Sequence, residues 1–164
     1  MIHVIVDDLA LTQADAIVRP ADESLGPTSP AIASLDARAG PRFAEQRRVA
    51  SPLKAGAAVV TGSGDLAAPF VLHVVVQDRE SKTGREVVRR ALVSAWQRAT
   101  DWELGTIATL LVGADSGQLT VEEAATLLAE TFPAAPKGFP TELRIVVDQD
   151  ADRMLVEAIV RRIS

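Results

Sequence analysis

Two kinds of hydrophobic run alternate along the chain. Ile2–Val6, Asp15–Val18, Ala57–Thr61, Phe70–Val76, Thr106–Val112 and Leu143–Val147 are rich in β-branched residues and apolar at successive positions. A strand with one wet face alternates apolar and polar residues, so runs like these predict strands covered on both faces. Between them lie helical patterns. Val87, Val88, Ala91, Leu92, Ala95, Trp96 and Ala99 recur at three- and four-residue spacing and form one stripe of a helix. Residues Pro30–Arg38 predict another, with Ser29 as its cap, Pro30 in the first turn and Gly40 ending it, and Pro41–Arg48 adds a short piece. Thr120 and Glu123 make a capping-box pair ahead of Val121, Ala124, Ala125 and Leu128. The last helix carries Met154, Leu155, Ala158, Ile159 and Ile163, with Asp150 as the expected N-cap.

Strands that alternate with helices predict an α/β fold: a three-layer α/β/α sandwich around a mixed, mostly parallel sheet. The exception to parallel pairing is Ala57–Val76. Its two strands are joined through Gly62-Ser63-Gly64-Asp65, too short for a crossover helix, so this pair is expected antiparallel. No repeat and no long linker divides the chain, and a single domain over 1–164 is expected. Thr131–Pro140, with three prolines and a glycine, is expected to be a surface loop inside it.

Composition narrows the chemistry. The chain of 164 residues is 48% hydrophobic with a net charge of −5, so it can bury a core and lacks the positive excess that phosphate-backbone binding needs. Nucleic acid is not an expected partner. No cysteine is present, which removes disulfides, thiolate metal sites and thiol nucleophiles. The apolar runs are far shorter than the ~20 residues of a spanning helix, and the N-terminus lacks a basic, cleavable leader pattern. No membrane partner and a cytoplasmic location are therefore expected.

Several motif-like stretches lose their meaning in context. Gly62-Ser63-Gly64-Asp65-Leu66-Ala67 has dinucleotide-type glycine spacing, but Pro69 and a further strand follow where a helix N-terminus is needed. Asp148-Gln149-Asp150-Ala151-Asp152 begins like a calcium loop, yet Arg153 and Ile159 replace the glycine and glutamate that such a loop requires. These aspartates suit the positive end of a helix. His73, between Leu72 and Val74, reads as a hydrogen-bonded core histidine. With two histidines and no nucleophile elbow, neither a metal site nor a serine hydrolase is expected.

Two segments remain at the C-terminal ends of expected strands, where open α/β sheets bind ligands. They are Val6-Asp7-Asp8-Leu9 and Leu111-Val112-Gly113-Ala114-Asp115-Ser116-Gly117-Gln118-Leu119. Small residues in the second let backbone N–H groups approach an anion. Each segment is equally compatible with a turn leading into a helix cap.

The order of these segments resembles the macro domains, modules that bind ADP-ribose. Ala57–Leu66 followed by Phe70–Val75 is similar to the family's "G-E-A-V-x-T-x-G-G-x-L … V-I-H-x-V". Ile5–Leu9 with Asp15–Val18 resembles "x-x-G-D-I … D-A-I-V-N-A-A-N", and Ile107–Gly117 resembles "I-A-x-P-x-L-G-T-G-x-G". The resemblance implies a ligand site made by Asp8 and the Leu9 backbone for the base, Asp22 for a ribose, and Ser29, Ala31, Gly113, Ala114, Asp115, Ser116 and Gly117 for phosphate. It implies no metal and no separate cofactor. Three departures mark the site as degenerate: Arg19-Pro20-Ala21-Asp22 stands where the family has Asn-Ala-Ala-Asn, Pro30 removes a backbone donor from the first phosphate loop, Gly26–Ile32, and Asp115 stands where glycine is usual. Arg19 is expected either as a counter-charge in the cleft or as a solvated surface residue. The implied function is binding of ADP-ribose or a related nucleotide derivative, with ADP-ribosylated protein as a further candidate partner. An ADP-ribosyl hydrolase, or an interaction module without ligand, are the alternatives.

Overall fold

The computed structural model describes residues 1–133 and 138–163. In chain order the elements are β1 (Ile2–Val6), β2 (Ala16–Ala21), α1 (Pro30–Ala39), α2 (Pro41–Gln46), β3 (Ala58–Gly62), β4 (Phe70–Val75), α3 (Arg85–Asp101), β5 (Thr106–Thr109), α4 (Val121–Thr131), β6 (Glu142–Val147) and α5 (Asp150–Ile163). The six strands form one sheet in the order β1-β6-β5-β2-β4-β3. All neighbours are parallel except β3 with β4, which are antiparallel as the short Gly62–Asp65 connection requires.

The double-sided burial read from the sequence has a simple basis. Val18, Leu72, Val74, Leu143 and Ile145 point to one face, where they meet Val88, Leu92 and Trp96 of α3, Leu128 of α4 and Ile159 of α5. The intervening residues Ile17, Val71 and Val146 point to the other face and pack on Ile32 and Leu35 of α1 and Phe43 of α2. Period-two alternation thus feeds two cores, and the result is the expected three-layer sandwich.

Local signals set the helix starts. Ser29 accepts from the Ile32 N–H at 3.3 Å, with Pro30 in the first turn and Gly40 at the C-cap. Thr120 and Glu123 make the reciprocal capping box, each bond 3.0 Å. Asp150 departs from expectation: it is the first residue of α5, and its carboxylate pairs with Arg153 at 2.7 Å rather than capping the helix. Of the expected 131–140 loop, residues 134–137 lie outside the described residues.

Two strands have unexpected lengths. β5 ends at Thr109, so Leu110–Val112 belong to the loop that follows. β2 continues through Arg19 and Pro20 to Ala21, paired with β4 throughout but with β5 only as far as Val18. Pro20 is tolerated because β2 has a strand on one side only at that point.

Arg19 is neither solvated nor in the cleft; it is fully buried. Its Nε and Nη2 donate to the two carboxylate oxygens of Asp36 on α1 at 2.8 and 2.7 Å, and its guanidinium lies 5.6 Å from the centre of the Phe43 ring. Nη1 approaches His73 Nδ1 at 3.2 Å. A guanidinium only donates, so Nδ1 is the acceptor and the imidazole proton sits on Nε2. That nitrogen donates to Thr61 Oγ1 at 2.7 Å, and Thr61 in turn donates to the Gly62 carbonyl at 2.8 Å. Burial first, then the charges of Arg19 and Arg47, push the His73 pKa well below its ordinary 6.5 and keep the ring neutral. His73 is the core histidine its neighbours suggested, and the network ties α1 to the sheet.

Candidate ligand site

A cavity of about 820 Å³ opens at the C-terminal ends of β1 and β6, bounded by the β5–α4 loop and one side of α1. This is the crevice where open α/β sheets place their ligands. The β1 end supplies Val6, Asp7, Asp8 and Leu9; the β5–α4 loop supplies Leu110, Leu111, Ala114 and Asp115. Ala31, Ile32, Ser34, Leu35 and Arg38 form the helical wall, and Val146, Val147, Asp148 and Asp152 close the far side. The apolar lining suits a flat, uncharged ring, and the polar groups stand around it.

The exposed Asp8 carboxylate has one oxygen 2.6 Å from Arg38 Nη1 and the other accepting the Ala10 N–H at 3.0 Å. The Arg38 hydrogen bond lowers the Asp8 pKa against the opposing effect of burial, helped by the Ala10 N–H, so the group is an anion at neutral pH. Each carboxylate oxygen keeps a lone pair for a further donor, such as an exocyclic amine. Neighbouring Asp7 faces its own turn, accepting from the Asp8 N–H at 2.8 Å and the Thr12 hydroxyl at 3.1 Å.

At the opposite end, Asp115 bridges two segments distant in sequence. Ser29 Oγ donates to its Oδ2 at 2.7 Å and the Gly113 N–H to its Oδ1 at 3.0 Å. Gly113 has φ +94°, and a Cβ there would come within 2.6 Å of the Leu119 side chain, so glycine is required to form this turn. The carboxylate therefore lies between the N-terminus of α1 and the β5–α4 loop.

Of the residues expected from sequence, Asp8, Leu9, Ala31, Ala114 and Asp115 line the cavity, and Ser29 joins them through Asp115. Gly113, Ser116 and Gly117 shape the loop without lining it: Ser116 Oγ donates to the Gly113 carbonyl at 3.2 Å, and the Gly117 N–H bonds the Ala114 carbonyl at 3.1 Å. Asp22 is also outside the lining. Its Oδ1 accepts the Ser24 and Gly26 N–H groups, both at 2.8 Å, and closes its own turn. Apart from Ala31, the helical wall was not among the expected residues, nor was the Val146–Asp148 side. The i, i+3, i+4, i+7 series Ala31, Ser34, Leu35 and Arg38, together with the strand C-terminus at Asp148, was the available signal.

Sheet order, crevice and loops define the class. The Macro domain family model matches residues 18–128, and the chain belongs to that family. Among proteins of known sequence, it is 24% identical over 154 residues to an uncharacterized protein of Mycobacterium tuberculosis, covering 94% of this chain and 43% of the relative. An uncharacterized protein of Aeropyrum pernix is 28% identical over 126 residues, covering 76% of this chain and 67% of the relative. The chain thus spans less than half the length of the mycobacterial protein. Among solved structures, an Oceanobacillus iheyensis macrodomain variant with ADPR superimposes with a TM-score of 0.79 at 16% identity, over 97% of this chain and 91% of that one. The Trypanosoma brucei macrodomain in complex with ADP gives 0.79 at 21% identity, over 97% and 68%. Among the described residues, no helix is long and apolar enough to cross a membrane.

Proposed function

We propose that this macro domain is a ligand-binding module for ADP-ribose or a related nucleotide derivative, held in the cavity between β1, β6, α1 and the β5–α4 loop. The observation that carries the reading is the pairing of the apolar floor of this crevice, at Leu9, Ile32, Leu35 and Val146, with Asp8, an ionised acceptor at its rim. The adenine ring would lie against Leu9, Ile32, Leu35 and Val146, with its amino group donating to Asp8. Structures of the same fold that hold ADPR and ADP support this ligand class. A hydrolytic role draws no support from the carboxylates. Asp22 is engaged by its own turn, and Asp115 by Ser29 and Gly113. Titration calorimetry with ADP-ribose, ADP, AMP, NAD and adenosine tests the reading. Saturable binding of any member supports it; heats at the dilution baseline for all five overturn it.

A further inference from the structure

The cavity lining carries a charge that is unusual for a diphosphate site. Asp7, Asp8, Asp115, Asp148 and Asp152 share the lining with one cation, Arg38, a net formal charge of −4. That cation is already paired to Asp8 at 2.6 Å. Four of the carboxylates belong to the β1 and β6–α5 side, where acceptors suit the amino edge of a base. The fifth, Asp115, stands alone at the other end, against the N-terminus of α1.

A helix N-terminus and a glycine-bearing loop normally offer an anion their free donors. Here Asp115 has taken two of them, the Ser29 hydroxyl at 2.7 Å and the Gly113 N–H at 3.0 Å. An internal anion occupies the place where an external one would sit. A ligand phosphate would have to displace a tethered carboxylate and then remain beside it. Like charges held that close repel, and salt weakens the repulsion. A neutral nucleoside meets no such opposition and keeps the apolar floor and Asp8.

We propose that Asp115 is the specificity-determining residue of this pocket, and that through it the site takes a nucleoside-type ligand in preference to its diphosphate derivatives. The inference rests on the cavity being the adenine-nucleotide site proposed above. The bridge from Ser29 through Asp115 to Gly113 closes the phosphate end while leaving the base end open.

The test compares adenosine with ADP-ribose by calorimetry, at low salt, on the wild-type chain and on Asp115→Gly and Asp115→Asn. The wild type should bind adenosine at least about tenfold more tightly than ADP-ribose. In Asp115→Gly the ratio of ADP-ribose to adenosine affinity should rise by at least about tenfold, because charge and side chain both go. Asp115→Asn, which keeps the side-chain volume and holds the loop, should raise the same ratio by a smaller factor, and added salt should narrow its difference from wild type. A wild type that binds ADP-ribose as well as adenosine overturns the inference and leaves the binding reading intact. So does a ratio unchanged in both variants. If neither ligand binds any of the three proteins the inference falls, and the reading beneath it falls with it only if ADP, AMP and NAD also give baseline heats.

Discussion

Removing Asp36 should unfold this protein more readily than any comparable surface change, and the structure sets the size of the effect. Arg19 has no exposed side-chain surface and Asp36 only 10%. Asp36→Ala leaves a buried guanidinium facing Phe43 and His73, with Arg47, 3.9 Å from the lost carboxylate, adding a like charge nearby. Breaking one side of such a pair costs about 3–5 kcal/mol, because a buried charge loses its partner. A domain of this size loses about 2–4 °C of Tm per kcal/mol, so Tm should fall by about 6–20 °C in a circular-dichroism melt. Replacing both partners, as in Arg19→Met with Asp36→Leu, should recover most of that loss, since two apolar groups of similar volume leave no charge to solvate. His73 Nδ1 then goes without its donor, and Arg47 without its carboxylate although it keeps its bond to the Leu25 carbonyl. If Asp36→Ala costs under about 1 kcal/mol, the worth of an exposed pair, the guanidinium is reached by water and the reasoning fails. The same holds if the double variant is no better than the single. Asp36 also fixes α1, so the single variant should weaken ligand binding along with stability.

Asp8→Ala should reduce nucleoside or nucleotide affinity by about 1.5–3 kcal/mol, the worth of a charge-assisted hydrogen bond. Its Tm should stay near wild type, because the Asp8–Arg38 pair is half exposed on both sides; unchanged affinity in calorimetry would remove Asp8 from the site. The depressed His73 pKa means that the unfolded chain takes up a proton more readily than the folded one. The stability His73 contributes is therefore complete above its ordinary 6.5 and falls as pH drops below that value, by up to about 1.4 kcal/mol per pH unit. Urea midpoints from pH 7.5 to 5 should show this slope and His73→Gln should flatten it; identical slopes would place the histidine in water. Gly64 has φ +61°, and a Cβ there would overlap the Ala39 carbonyl oxygen, so Gly64→Ala should cost about 2 kcal/mol or more in urea unfolding. Gly117→Ala, also at positive φ but with open space around it, should cost only about 1 kcal/mol, and equal losses would refute the steric argument.

The sequence revealed those parts of the fold that depend on neighbours along the chain. The stripe from Val87 to Ala99, the Ser29-Pro30 start of α1 and the Thr120–Glu123 box are local patterns, and each forms as its spacing implies. The extension of β2 through Arg19-Pro20 was not visible, because a charge followed by a proline ends most strands. It continues because Asp36 and Phe43, both more than fifteen positions away, make a buried place for the guanidinium. The site was legible where a strand C-terminus meets a turn, at Asp8 and at Asp115. Asp22 lies outside the cavity lining, and its Oδ1 is engaged by the Ser24 and Gly26 N–H groups of its own turn, a local use open to an aspartate four residues before a glycine. Beyond Ala31, the α1 wall was not legible because it is built from ordinary helix residues whose role depends only on which side faces the crevice.

Ligand binding in the crevice is most directly tested by methyl NMR of the labelled protein during titration with ADP-ribose and, separately, adenosine, both to millimolar concentration so that weak binding still registers. The methyls of Leu9, Ile32, Leu35, Leu110 and Val146 surround the cavity, whereas Val93 on the exposed side of α3 and Val160 on α5 lie away from it. Saturable shifts confined to the first group, larger at equal concentration for adenosine, are the expected result. Methyls that stay still with both ligands, or shifts centred on Val93 or Val160, would contradict a nucleoside-type site between β1, β6 and α1.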